Sequence, residues 1–180
     1  MAHSDWPKAL PARAGRLERR GESDWRYISM KVLIIYDSVF GNTEQIAQAV
    51  GNALNPQKDV EIVRVSNVKL EQLTGLKLLI VGSPTHGGRP TPAIQGFLNN
   101  VPEPATRGIN VTAFDTRLST RLVGIFGYAA GRIADSLKRK GGTLIASPEA
   151  FFVKGREGPL KEGELERAAS WAKVIVKSKK

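Results

Sequence analysis

Five short runs rich in aliphatic residues, separated by stretches with helical spacing, constrain this chain more than any other feature of it. Val32–Tyr36 is continuously apolar, and similar runs follow at Val60–Val65, Leu78–Val81, Val111–Phe114 and Thr143–Ala146. An unbroken apolar run of this length reads as a strand buried on both faces, since a strand with one wet face alternates. Between the runs, Ile46, Ala47, Val50 and Leu54 share one helical face. So do Ile94, Phe97 and Leu98, then Ala130, Ile133, Ala134 and Leu137, and finally Leu165, Ala168, Ala169, Ala172 and Val176. Strands and helices alternating at this spacing predict right-handed βαβ crossovers and an α/β fold, with a parallel sheet covered on both sides. Ligands of such sheets bind beyond the C-terminal ends of the strands, which directs attention to loops 37–43, 83–91 and 115–127.

A chain of 180 residues with 41% hydrophobic content is expected to form one domain around a single sizeable core. Residues 1–29 show neither strand alternation nor a sustained helical stripe, and hold Pro11, Arg13, Gly15, Arg19 and Arg20. They read as a flexible N-terminal extension to a domain over residues 30–180. Met30, directly before the first strand run, leaves open a second reading in which translation starts there. No stretch reaches the roughly 20 apolar residues of a membrane span, so a cytoplasmic protein is expected. The absence of cysteine excludes disulfides, thiolate nucleophiles and iron–sulfur ligation, so any redox chemistry has to use a bound cofactor. A net charge of +10 favours acidic partners or nonspecific nucleic-acid association, and nucleic acid is the less expected of the two.

The first loop, Asp37-Ser38-Val39-Phe40-Gly41-Asn42-Thr43, joins a strand directly to a helix. Its backbone N–H groups, the Ser38 and Thr43 hydroxyls and the positive end of the helix suit a phosphate, and a plain N-capped βα turn is the alternative. The loop contains no lysine or arginine and fits neither GxxxxGK[ST] nor GxGxxG, which argues against a nucleoside triphosphatase and a standard dinucleotide fold.

The stretch Val32–Val50, VLIIYDSVFGNTEQIAQAV, resembles the N-terminal signature of the flavodoxin family, whose phosphate loop runs Ser/Thr-x-Thr/Ser-Gly-x-Thr. Ser38, Gly41, Asn42 and Thr43 match; Phe40 replaces a usual hydroxyl residue. The resemblance implies a three-layer α/β/α fold with a five-stranded parallel sheet in order 2-1-3-4-5 and noncovalent FMN as cofactor, held at the first loop by Ser38, Val39, Phe40, Gly41, Asn42 and Thr43. It places Pro84, Thr85, His86, Gly87 and Gly88 in the first flavin-flanking loop, where a peptide flip at Gly87 lets a carbonyl meet the reduced ring and His86 stands where an aromatic often does. Thr91 and Pro92 need no function, since an N-cap followed by proline starts a helix well. Asp115, Thr116 and Arg117 are placed in the second flanking loop, which lacks the family's outer aromatic before Phe126 and Tyr128. Arg117 and Arg121 face the flavin's pyrimidine edge or an acidic partner, or are solvated charges. Glu149–Gly155, with Gly158 and Pro159, resembles the segment between the last strand and last helix in relatives that include flavodiiron proteins, with Phe151 and Phe152 read as packing. Lys177, Lys179 and Lys180 read as a solvated tail.

The function expected is an FMN-binding electron carrier serving an acidic redox partner, with no catalytic acid or base and no metal site. An FMN-dependent NAD(P)H:quinone or nitro-compound oxidoreductase is the alternative, since the fold hosts both. A flavin-free binding module is the third reading. A response regulator is disfavoured, because the strand ends offer a lone Asp37 and then Gly82-Ser83.

Overall fold

The computed structural model describes residues 30–55, 59–119 and 127–177. They form strands β1 (Lys31–Tyr36), β2 (Asp59–Arg64), β3 (Leu78–Pro84), β4 (Asn110–Leu118), β5 (Thr143–Leu144) and β6 (Glu149–Val153). The helices are α1 (Asn42–Leu54), α2 (Pro92–Asn100), α3 (Ala129–Arg139) and α4 (Glu164–Lys177). All named strand pairs are parallel, in the order β2-β1-β3-β4-β5, with β6 also on β4. This is the expected 2-1-3-4-5 order, with its fifth position shared by two segments. The expected extension, residues 1–29, lies outside the described residues, as do Arg121, Phe126, Lys179 and Lys180.

Two local expectations are corrected. The fifth strand pairs only at Thr143 and Leu144, and the ladder resumes at Glu149–Val153 in a segment read from sequence as connection. The break covers residues 145–148 and ends with Pro148, which has no N–H to give a ladder; the Thr112 hydroxyl bridges the break by donating to the Ala146 carbonyl at 3.1 Å. The second correction is that β4 continues to Leu118, which makes Asp115, Thr116 and Arg117 strand residues instead of loop residues. Neighbours on both sides hold them: Ser83 and Pro84 of β3 pair with Asp115 and Thr116, and β6 pairs from Phe114 through Leu118.

Successive side chains of a strand point to opposite faces, so the two sides of the sheet build separate cores. On one side Leu33, Ile35, Leu79 and Val81 pack with Ile94 and Phe97 of α2 and Ile133 and Leu137 of α3. On the other, Val32, Ile34, Ile80 and Phe114 pack with Ile46 and Val50 of α1 and Ala168 and Trp171 of α4. Phe114, Phe151 and Trp171 meet edge to face with centroids 6.0 to 6.1 Å apart, which places Phe151 in the core as expected of a packing residue. Gly82 allows this triad: a Cβ there would lie 2.2 Å from the Phe114 ring. Thr91 and Pro92 start α2 as expected, with Thr91 Oγ1 accepting the Ile94 N–H. Among the described residues, no helix is long and apolar enough to cross a membrane.

Candidate functional site

Beyond the C-terminal ends of β1, β3, β4 and β6 lies a cavity of about 860 Å³. Its first wall comes from the β1–α1 loop, through Ser38, Val39, Phe40, Asn42 and Thr43. Gly41 does not line the cavity; at φ 81° it turns the chain into α1 as the N-cap, a conformation that favours glycine. The Gln45 N–H bonds the Gly41 carbonyl, so the amides before it have no partner within the helix. Ser38 is 3% exposed, yet its Oγ has no hydrogen-bond partner among the described residues. A buried hydroxyl left so costs about 1–3 kcal/mol, a penalty that a ligand acceptor would remove. Thr43 Oγ1 and Thr116 Oγ1 are 2.8 Å apart. One O–H of that pair makes the mutual bond and the other is left to donate elsewhere. The Asn42 side chain is turned away from this role, its Nδ2 donating to the Glu157 carbonyl at 2.9 Å.

The second wall is Pro84, Thr85, His86, Gly87 and Gly88. His86 and Arg89 exchange backbone bonds of 2.9 and 3.0 Å around Gly87 (φ 55°) and Gly88 (φ 76°). Positive φ at both central residues is the mark of a type I′ turn, which glycine pairs adopt without strain. The turn is anchored at both ends: Thr85 N–H donates to the Thr116 carbonyl at 2.9 Å, and Arg132 Nε–H to the Gly88 carbonyl at 2.9 Å. Both His86 and Gly87 are exposed.

Thr116, Arg117, Leu118 and Gly127 close the third side. Asp115 does not line the cavity. It is fully buried, and its Oδ2 accepts the Ala130 N–H at 3.0 Å in the first turn of α3. Burial pushes its carboxyl above the ordinary carboxylate value, opposed by that amide and by Arg117. Arg117 Nε stands 3.5 Å from Asp115 Oδ1, and its guanidinium lies 4.4 Å over the Tyr128 ring. Its Nη1 is buried without a hydrogen-bond partner among the described residues. Tyr36, at the end of β1, donates to Glu44 at 2.9 Å; burial first, and then that carboxylate, raise its pKa.

Thus the structure brings all but Gly41 and Asp115 of the expected site residues to one cavity. It adds Leu118, Gly127, Val153 and Arg156. Leu118 and Val153 are register partners across β4 and β6, and the apolar pattern of residues 149–153 was the signal that could have placed them.

A family model described as Flavodoxin matches residues 34–171. Among curated proteins, none matches the sequence. Among solved structures, oxidised flavodoxin 1 from Bacillus cereus is similar with TM-score 0.69 and 17% identity, over 82% of this chain and 97% of that one. A flavodoxin from the domain Archaea gives 0.66 and 21% identity, over 84% of this chain and 100% of that one. Rubredoxin oxygen:oxidoreductase from Desulfovibrio gigas gives 0.67 and 20% identity, over 83% of this chain and 36% of that one. At these identities the likeness is one of fold.

Proposed function

The chain belongs to the flavodoxin family, whose members bind FMN, and from that premise we propose that it is a cytoplasmic electron carrier that holds FMN in the cavity and exchanges electrons with an acidic protein partner. The observation that carries this reading is Ser38: a buried hydroxyl with no partner among the described residues, in a loop that opens a 13-residue helix. The residues fit the cofactor. Ser38 Oγ, the spare O–H of the Thr43–Thr116 pair and the amides at the start of α1 are donors suited to a phosphoryl group.

When bound, FMN supplies the electron transfer, and no side chain has to act as acid or base. The chain's own residues bind and orient. The Gly87–Gly88 peptide carries no Cβ on either side, so it can invert between type I′ and type II′ turns and present either N–H or C=O to a ring. Arg117, fixed by Asp115 and Tyr128, holds a permanent positive charge at the cavity wall, which favours a cofactor that gains negative charge on reduction. Val39 (54% exposed), Phe40 (46%) and Leu118 (40%) put apolar surface at the mouth, where a protein partner would come close to the ring.

Titration of the apoprotein with FMN, followed by quenching of flavin fluorescence, tests the reading. Saturable binding at micromolar or lower concentration is expected, weakened roughly a hundredfold by Ser38→Ala with Thr43→Ala, which removes two hydrogen bonds to a charged group. Absence of binding to the unmodified protein, or equal binding by the double variant, overturns it. Rapid oxidation of NADH or NADPH by the holoprotein with a quinone acceptor would identify a reductase instead of a carrier.

A further inference from the structure

The loop proposed to hold the phosphoryl group has no cation of its own: residues 37–43 contain neither lysine nor arginine. Its hydroxyls and helix amides offer dipoles to a group carrying close to two negative charges at neutral pH. Three arginines stand near it, and two are committed. Arg64 bonds the Ser38 carbonyl and lies 3.6 Å from Asp37, while Arg117 is paired with Asp115 and stacked on Tyr128. Arg156 is exposed, forms no ion pair or hydrogen bond among the described residues, and lines the same cavity as Ser38, Asn42 and Thr43.

Its position is fixed by the backbone. Val153 bridges to Leu160, the Lys154 N–H donates to the Pro159 carbonyl at 2.8 Å, and the Gly158 N–H to the Gly155 carbonyl at 3.2 Å. Arg156 therefore rides on the tip of a tight hairpin between β6 and α4. That tip is pinned to the start of α1, because Asn42 Nδ2 bonds the carbonyl of Glu157, the next residue. Gly158 packs so closely on Asn42 that a Cβ would lie 2.5 Å from its Oδ1.

We infer that Arg156 is the counter-cation of the cofactor's phosphoryl group, supplied by the β6–α4 hairpin in place of a basic residue in the loop itself. The inference rests on the FMN reading above. Guanidinium is suited to the task, since its fork of N–H donors matches phosphate oxygens. Selection of FMN over riboflavin, which shares the ring and lacks the phosphate, then depends on this side chain.

Dissociation constants of the full-length apoprotein for FMN and for riboflavin, at low and at high salt, test the inference with Arg156→Gln and Arg156→Lys. Arg156→Gln should weaken FMN about tenfold at low salt, the worth of one partly exposed charge-assisted contact, with riboflavin unchanged and the salt dependence of FMN binding reduced. Arg156→Lys should keep most of the affinity and the salt dependence. Unchanged FMN binding by Arg156→Gln overturns the inference, and so does an equal loss for FMN and riboflavin, which would mean a role in shaping the cavity. Binding of FMN by the unmodified protein upholds the FMN reading whichever way the variants fall; binding of neither flavin overturns both.

Discussion

Asp115 is a carboxylate with no solvent to turn to, one oxygen on the Ala130 amide at 3.0 Å and the other, 3.5 Å from Arg117 Nε, without a hydrogen bond among the described residues. Burial dominates, and its pKa is raised. A carboxyl whose folded pKa exceeds its unfolded one contributes stability that is full below the unfolded value, 3.8, and lost as pH rises through the folded value. Asp115→Asn keeps an acceptor for the Ala130 N–H and removes the titration. The stability difference between variant and unmodified protein, from urea unfolding at several pH values, should therefore move in the variant's favour as pH rises from about 3.8. A constant difference across that range would mean that the Ala130 amide and Arg117 cancel burial, and movement the other way that they outweigh it. At this scale the sequence is legible where a residue type has few uses. Thr91 before Pro92 reads as an N-cap and a helix start, and α2 begins there. Asp115 is not legible in this way, because its burial depends on a strand continuing past it and on a helix start 15 residues later.

The hairpin between β6 and α4 is tied to α1 by two features on one residue: Asn42 Nδ2 donates to Glu157, and Asn42 stands where a Cβ on Gly158 would go. Gly158 also has φ 111°, a conformation that disfavours any side chain. Gly158→Ala should cost about 1–3 kcal/mol in chemical unfolding, from backbone strain together with displacement of Asn42. In an Asn42→Ala background the same substitution should cost less, because the atoms struck by the new methyl are gone. Additive losses would show that the contact carries none of the cost. The element order follows from alternating patterns that the sequence displays openly, and the parallel sheet with β3 at its centre agrees with it. The divided fifth strand is less visible. Thr143–Ala146 has the apolar run, whereas the longer ladder forms at Glu149–Val153, where β4 has unpaired edge to offer and Phe151 reaches Phe114 and Trp171. Pairing partners decide this, and a single strand's sequence does not name its partners.

Across the whole molecule, 27 Lys+Arg face 17 Asp+Glu, and taking away the six basic and four acidic residues of positions 1–29 still leaves 21 against 13. The positive balance therefore belongs to residues 30–180 as well as to the N-terminal segment. Part of it lies at or next to residues that line the cavity: Arg156 lines it, Arg64, 45% exposed at the side chain, bonds the Ser38 carbonyl, and Arg89 and Lys154 are exposed beside Gly88 and Val153. A mouth with apolar contact surface and basic surroundings steers acidic proteins toward the ring and turns basic ones away. This belongs to rate more than to final affinity, since steering acts before contact and short-range packing after it. Stopped-flow oxidation of the reduced holoprotein by an acidic and by a basic redox protein of similar size would resolve the two. Raising ionic strength from about 0.01 M to about 0.15 M shortens the Debye length from roughly 30 Å to roughly 8 Å. The bimolecular rate with the acidic acceptor should fall over that range, by roughly tenfold for a well-aligned pair, while the rate with the basic acceptor stays level or rises. Equal, salt-independent rates would mean that the surplus charge lies away from the docking face, and the acidic partner would lose its physical basis even with the carrier function intact.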